Sequence, residues 1–423
     1  MGTISINHLT KIEGTASLTL KIEKGQVQKC ELRAVEGSRY FEGLLVGKQY
    51  NEASWISSRI CGICSCAHTV TAVKAIEQAL GIKVTDQTKK LRQLYTIGER
   101  IRSHATHLYF LALPDYLGFE SGLEMAPKKK NEVMRALKIM KIGNDIIKLA
   151  QGREMHPIST TPGGFLKYPK QKELDEIRKR LEDAVPDAEE TLKLFCSLKY
   201  PKYEFDTQFF SLTSNDEYAL LEGDILAGGK VFKEKDYRNY IKEHHDPDNT
   251  ANFVVKEGKS YMVGALARIN NNKNFLSART KQLLHKADIE FPSKNPFYNN
   301  IAQAAELLHY FEHAIKLLEK LQVQPEKPVE YELRAGQGVA AVEVPRGTLW
   351  HEYELDDKGQ ITYANIVTPT AQNLRNMQED IKNYIPNLLN ENKQELILDI
   401  EMLIRAYDPC FSCASHFLKV KFE

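Results

Sequence analysis

Two C-x-x-C pairs stand at opposite ends of this chain. If they serve one centre, the chain must fold back until both ends reach one interior point. The first pair lies in Arg59-Ile60-Cys61-Gly62-Ile63-Cys64-Ser65-Cys66-Ala67-His68. The second lies in Asp408-Pro409-Cys410-Phe411-Ser412-Cys413-Ala414-Ser415-His416. The spacing lets the two thiolates of each pair turn toward a common position. Four thiolates are soft donors, suited to zinc, copper(I), iron clusters or a thiolate-rich nickel centre.

The rest of the chain narrows the setting. At 423 residues it is long enough to bury a large core without a metal or disulfide staple. Its 7 cysteines are an odd number without a regular framework, which points to a reducing compartment and ligand cysteines. A formal net charge of +1 gives no nucleic-acid footprint. No stretch approaches a membrane span, and Met1-Gly2-Thr3-Ile4-Ser5 does not open a secretory signal. The expectation is a soluble, cytoplasmic protein.

Periodicity predicts strands over 15–22 and 26–35 around a Glu23-Lys24-Gly25 hairpin. Helical spacing covers 64–80, stopping at Gly81, and 86–113, stopping before Pro114. It continues over 131–150, ending at Gly152, and over 171–198 as two helices broken at Pro186. Further helices are expected over 296–321 and over 379–407 with a break at Pro386. Strands are expected over 339–354 and 360–366, with short ones near 207–212 and 251–263. The polar stretch 237–250 reads as a surface loop. The expected fold class is mainly α with small β elements, an α+β arrangement in one domain over 1–423. Its parts are an N-terminal β region of about 1–50, a helical core of about 56–200 and 270–416, and a tail, 417–423.

Local chemistry sharpens the cysteine pairs. Cys61 precedes a helix and Cys64 enters its first turn, where the helix dipole favours a thiolate. His68 follows Cys64 by one turn on the same face. Pro409 ends the preceding helix and starts a constrained turn at Cys410, with Asp408 beside it. On the pairs alone, a four-cysteine structural zinc site is the competing reading. Three features oppose it: ligands almost a chain length apart, a chain that does not need zinc to fold, and titratable neighbours at both pairs. A redox disulfide is a weaker competitor, because no thioredoxin-like pattern surrounds either pair.

These flanks resemble the two signatures of the large subunit of nickel–iron hydrogenases. Other segments agree in order. Ile12-Glu13-Gly14 resembles the family's N-terminal R-I-E-G, with Lys11 in place of arginine. Arg39-Tyr40-Phe41-Glu42 resembles its R-x-x-E segment. Gly152-Arg153-Glu154-Met155-His156-Pro157, followed by Pro162-Gly163-Gly164, resembles G-R-x-x-H-P…G-G. Pro345-Arg346-Gly347 and Thr368-Pro369-Thr370-Ala371-Gln372-Asn373 match two further segments.

The resemblance implies a nickel–iron centre whose iron carries two cyanides and one carbon monoxide. It implies nickel bound by Cys61, Cys64, Cys410 and Cys413, with Cys64 and Cys413 bridging to iron. It implies reversible heterolytic cleavage of H2, metal acidity acting beside a base. The first proton acceptor is either the Cys410 sulfur or Arg346, and Glu13 carries the proton outward. Arg346, Thr370, Pro345, Asp408 and His68 would surround the iron ligands or the sulfurs. Glu42, His416 and the carbonyl of Ile366 would hold a magnesium or similar ion. The chain has no cluster-binding or dinucleotide signature of its own. Electrons would therefore leave through an iron–sulfur small subunit.

There are departures. Ser103 stands where many membrane-bound members carry aspartate, and Cys66 is an extra thiol. Residues 417–423 follow His416, where the family commonly loses a C-terminal peptide to a maturation protease after nickel-insertion proteins have acted. Ser103 and Leu113-Pro114-Asp115-Tyr116 resemble the soluble bidirectional group, which pairs with flavin and NAD(P) subunits. The alternatives are an enzyme feeding heterodisulfide reductase or a deazaflavin acceptor, a non-catalytic H2 sensor, and a zinc-stabilised scaffold.

Overall fold

The computed structural model of the chain describes residues 2–24, 26–35, 40–246 and 249–415. Arg39, His416 and the tail 417–423 lie outside the described residues.

The N-terminal strands Gly2–Ile6, Ala16–Glu23 and Gln26–Ala34 form an antiparallel sheet in sequence order. Its alternating Leu18, Leu20 and Leu32 are buried, as period-two patterning requires. The helical core follows. Ser65–Leu80 ends at left-handed Gly81, and Lys130–Gln151 at left-handed Gly152, both where the sequence places the stops. Gln171–Ser197 packs against Asn299–Lys320, and Asp86–Thr106 against Lys130–Gln151. Among the described residues no helix is long and apolar enough to cross a membrane.

Several boundaries differ from the sequence reading. Gln171–Ser197 runs as one helix through Pro186. An interior proline costs about 3 kcal/mol. Here an unbroken buried face, from Leu174 and Leu181 through Ala188 to Phe195, outweighs it. The helix from Asp86 does not stop before Pro114. It widens into a π turn over His107–Ala112 and continues as Leu113–Leu117, with Pro114 in the first turn. The wide turn fits a proline that lacks an N–H and crowds the carbonyl four residues back. The stretch read as one strand over 339–354 is a hairpin, Gly336–Val344 and Gly347–Leu355, turning at Pro345-Arg346. A third strand, Ile361–Val367, completes its sheet. The expected loop 237–250 contains a strand, Lys242–His245, paired with Asn252–Val255. Thr368 stands at the N-cap position of the helix Pro369–Tyr384 without a side-chain cap, and the break near Pro386 falls in a 3-10 turn, Ile385–Leu388.

Two packings position the site. Ser65–Leu80 lies against the Gly336–Val344 strand at glycines. A Cβ on Gly338 would sit 1.9 Å from the Ala75 carbonyl oxygen, so only glycine permits the approach. This brings the first cysteine pair beside the Pro345-Arg346 turn. At the other end, Glu13 pairs with Cys410 in an isolated parallel bridge. The Phe411 N–H donates to the Glu13 carbonyl at 2.9 Å, which ties the N-terminus to the second pair.

Tyr407, just before that pair, is anchored by a buried carboxylate. Its hydroxyl donates a short hydrogen bond to Asp380, and Tyr203 donates to the other oxygen at 3.3 Å. Burial pushes Asp380 up to about 7 from an ordinary 3.8. The native state therefore holds an extra proton between those values, and stability falls as pH rises through that window. A shift of this size corresponds to roughly 4 kcal/mol. Asp380→Asn removes the titration. Its melting temperature is expected to gain on the parent's as pH rises from roughly 5 to roughly 8. Parallel melting curves across that range would refute the assignment.

Candidate metal centre

The four signature cysteines converge. Cys61 is extended after the Ser58–Ile60 turn, and Cys64 is the N-cap of Ser65–Leu80. Cys410 is the N-cap of the short helix Phe411–Ala414, and Cys413 lies within it. Asp408 takes a left-handed backbone, φ 50°, to turn the chain inward before Pro409. The Cys61 and Cys410 sulfurs are 3.6 Å apart, those of Cys64 and Cys413 3.2 Å, and those of Cys410 and Cys413 2.7 Å. All four lie within 4.8 Å of one another and are buried. Among the described residues this is the one convergence of three or more possible metal ligands.

The thiols share protons. Hydrogen bonds from Cys410, Cys413 and Cys64 hold the Cys61 thiol well below its ordinary range. Burial pushes Cys410 and Cys413 up. A bound cation replaces those protons and converts all four to thiolates.

The surroundings separate this centre from a closed zinc site. A small cavity opens beside the sulfurs. Val344, Pro345, Leu349 and Pro369 give it an apolar wall, with Arg346, Thr370 and His68 as its polar groups. The buried Arg346 Nη1 has no hydrogen-bond partner. A closed four-cysteine zinc site needs neither the space nor a buried orphan donor. Small iron-bound diatomic ligands that accept a hydrogen bond fit both.

Glu13, Thr370 and His68 contact the cysteines, and Arg346 pairs with Asp408 beside them. Arg346 Nε donates to the Asp408 carbonyl at 2.8 Å, and its Nη2 pairs with the Asp408 carboxylate at 3.0 Å. The Thr370 hydroxyl oxygen accepts the Cys410 N–H at 2.8 Å. The His68 N–H donates to the Cys64 carbonyl at 3.2 Å. The Glu13 Oε2 atom receives the Cys410 thiol at 2.8 Å. Burial, then the charge of Cys61, raises the Glu13 carboxyl above its ordinary range. Glu42 accepts the Ile366 N–H at 2.8 Å, so those two expected ion-site residues are neighbours, while their expected partner His416 is outside the described residues. Ser103 is buried, as is Cys66, whose thiol burial pushes well up.

Three supporting residues escaped the sequence reading. Gln303 donates to Asp408 at 3.0 Å. Its signal was present: Asn299, Asn300, Gln303 and Glu306 make a polar stripe on the buried face of Asn299–Lys320. Arg268 donates to the carbonyls of Val344 and Pro345 at 2.8 and 3.0 Å, and its charge is balanced by Glu306 and Glu343. It fixes the turn that presents Arg346. His351 meets His68 at 3.1 Å and Tyr353 at 2.7 Å. Nothing local in the sequence marks either of the last two.

A buried thiolate centre of this kind, with an apolar ligand cavity and a carboxyl on one sulfur, defines a redox metalloenzyme. Comparison with known proteins gives the family. The family model for nickel-dependent hydrogenases matches residues 39–183 and 296–416, more than half of the chain. The sulfhydrogenase 1 subunit alpha of Pyrococcus furiosus is 36% identical over 422 residues, covering 99% of this chain and 98% of that one. The sulfhydrogenase 2 subunit alpha of the same organism is 33% identical, covering 99% and 100%. The solved structure of an NAD+-reducing nickel–iron hydrogenase in the H2-reduced state superposes with a TM-score of 0.88 at 26% identity, covering 98% of this chain and all of that one. The chain belongs to the nickel-dependent hydrogenase family and is the catalytic large subunit of a nickel–iron hydrogenase, with the four cysteines as its metal site.

Proposed function

We propose that this chain, as one domain over 1–423, performs reversible heterolytic oxidation of H2 with its cysteines and Glu13 as proton carriers. The observation that carries this is the 2.8 Å contact between Cys410 Sγ and Glu13 Oε2. When bound, a nickel–iron centre supplies the Lewis acidity and the electron capacity. Cys61, Cys64, Cys410 and Cys413 would hold that centre through their thiolates, with Cys61 and Cys410 as its terminal sulfurs. Cys410 holds the proton first and Glu13 removes it, because Arg346 stays charged against Asp408 and has no acceptor capacity. Arg346, Thr370, Pro345 and His68 would hold and orient the iron's cyanide and carbonyl ligands. Glu42 and the Ile366 carbonyl, with His416, would hold a magnesium ion.

Electrons leave to an iron–sulfur small subunit and then, through flavin subunits, to NAD(P). The likeness to an NAD+-reducing enzyme supports that acceptor. A maturation protease and nickel-insertion proteins are further partners, and the working place is the cytoplasm. The test is nickel and iron analysis with infrared spectroscopy of the purified complex. Nickel in the large subunit, with two cyanide bands and one carbonyl band, supports the reading. Zinc in place of nickel, without those bands, overturns it.

A further inference from the structure

The helix that carries the first cysteine pair has an incomplete cap. Cys64 is the N-cap of Ser65–Leu80, yet its side chain makes no capping hydrogen bond, since its sulfur faces Cys413. The first amides of a helix need an acceptor from elsewhere. Another helix supplies it. Glu99, fully buried on Asp86–Thr106, accepts the Cys66 N–H at 2.9 Å on one oxygen and the Ala67 N–H at 3.1 Å on the other. One turn on, Arg102 grips the far side of the same turn. It donates to the carbonyl of Ile63, between the two ligand cysteines, and to that of Glu154 at 2.7 Å.

Glu99 and Arg102 also pair with each other at 3.8 Å. Burial pushes the Glu99 carboxyl up to about 7, while Arg102 and Arg100 oppose that rise. Two amide donors, one on each oxygen, suit the ionised form. The platform beneath is stiff. A Cβ on Gly143 would lie 2.6 Å from the Gly98 carbonyl oxygen and 2.8 Å from the Arg102 nitrogen, so these two helices meet backbone to backbone.

We propose that Glu99 and Arg102 are positioning residues for the metal centre, fixing both the place of the Cys61 and Cys64 sulfurs and the charge behind Cys64. The proposal rests on the nickel–iron reading above. A helix N-terminus draws electron density from a thiolate seated on it, and a carboxylate at that end opposes the pull. Glu99 therefore keeps Cys64 electron-rich. Loss of its charge weakens donation to the metals, and the carbonyl band moves to higher wavenumber.

The test uses the matured complex. Glu99→Gln keeps an acceptor oxygen and removes the charge. The expected result is a carbonyl band at higher wavenumber and nickel retention under chelator reduced by roughly 10-fold. Arg102→Lys keeps the charge but loses the planar fork whose two nitrogens reach the two carbonyls. It should loosen nickel as well, and it decides the matter if Glu99→Gln does not accumulate. Thr85→Ala removes the side-chain cap of Asp86–Thr106, well away from the cysteines, and controls for lost stability. If both variants lower the melting temperature but match Thr85→Ala in band position and nickel retention, the proposal falls. A parent complex without nickel or bands would overturn the nickel–iron reading itself, and this proposal with it.

Discussion

Replacing Cys64 with serine is expected to empty the centre of nickel while leaving the chain folded. The hydroxyl is a hard, weakly acidic donor and cannot stand in for a soft thiolate ligand. Its 3.2 Å neighbour Cys413 and the remaining pair then face a three-sulfur site. Activity should fall to background, well beyond the roughly 10–100-fold loss that follows removal of an outer-shell partner. The fold has little to lose. Cys64 makes no side-chain cap, and serine is among the favoured N-cap residues, worth about 1 kcal/mol over alanine. Helix content and melting temperature of the metal-free chain should therefore match the metal-free parent. Metal analysis decides the point. A Cys64→Ser chain loaded with nickel to the parent level would exclude Cys64 as a ligand.

The contrast between ligand and scaffold explains what was readable in the sequence. The cysteine pairs carry their chemistry in their own spacing, so their convergence could be expected from residues alone. Helix ends at Gly81 and Gly152 were equally legible, because a left-handed cap is a local requirement. Pro186 misled, since a local penalty was outweighed by a buried face that only the partner helix reveals. The Pro345-Arg346 turn was hidden for a related reason. Its flanking strands are buried on both faces, so no in–out alternation marks where the chain reverses.

The supporting shell was the least legible part. Gln303 reaches Asp408 across 105 positions, and His351 reaches His68 across 283. Such contacts have no local pattern. They follow from helix and strand packing that brings remote positions together. Glu13 is the sharpest case. By its surroundings in sequence it is an ordinary strand-end carboxylate. The family resemblance singled it out, and the fold sets its backbone against Cys410.

Glu13→Gln should therefore separate proton delivery from assembly. The backbone of Glu13 receives the Phe411 N–H at 2.9 Å and donates to the Pro409 carbonyl at 3.4 Å. Neither bond uses the carboxyl, and glutamine has nearly the same shape. Nickel content and infrared bands should stay at parent values. What is lost is the carboxyl that accepts the Cys410 thiol at 2.8 Å and, in the proposed route, takes its proton. Burial raises that carboxyl above its ordinary range, closer to the working pH, where a proton carrier is most effective. Removal of such a group typically costs about 10²–10⁴-fold in rate. Turnover in both directions should fall within that range. Because the raised carboxyl must be ionised to accept the proton, the parent's H2 oxidation should decline on the acid side as Glu13 protonates. The glutamine variant should lack that limb in its residual rate. Glu13→Asp keeps the titrating group on a shorter arm and should recover part of the rate. A glutamine variant with the parent's turnover and the parent's pH profile would send the proton by another route.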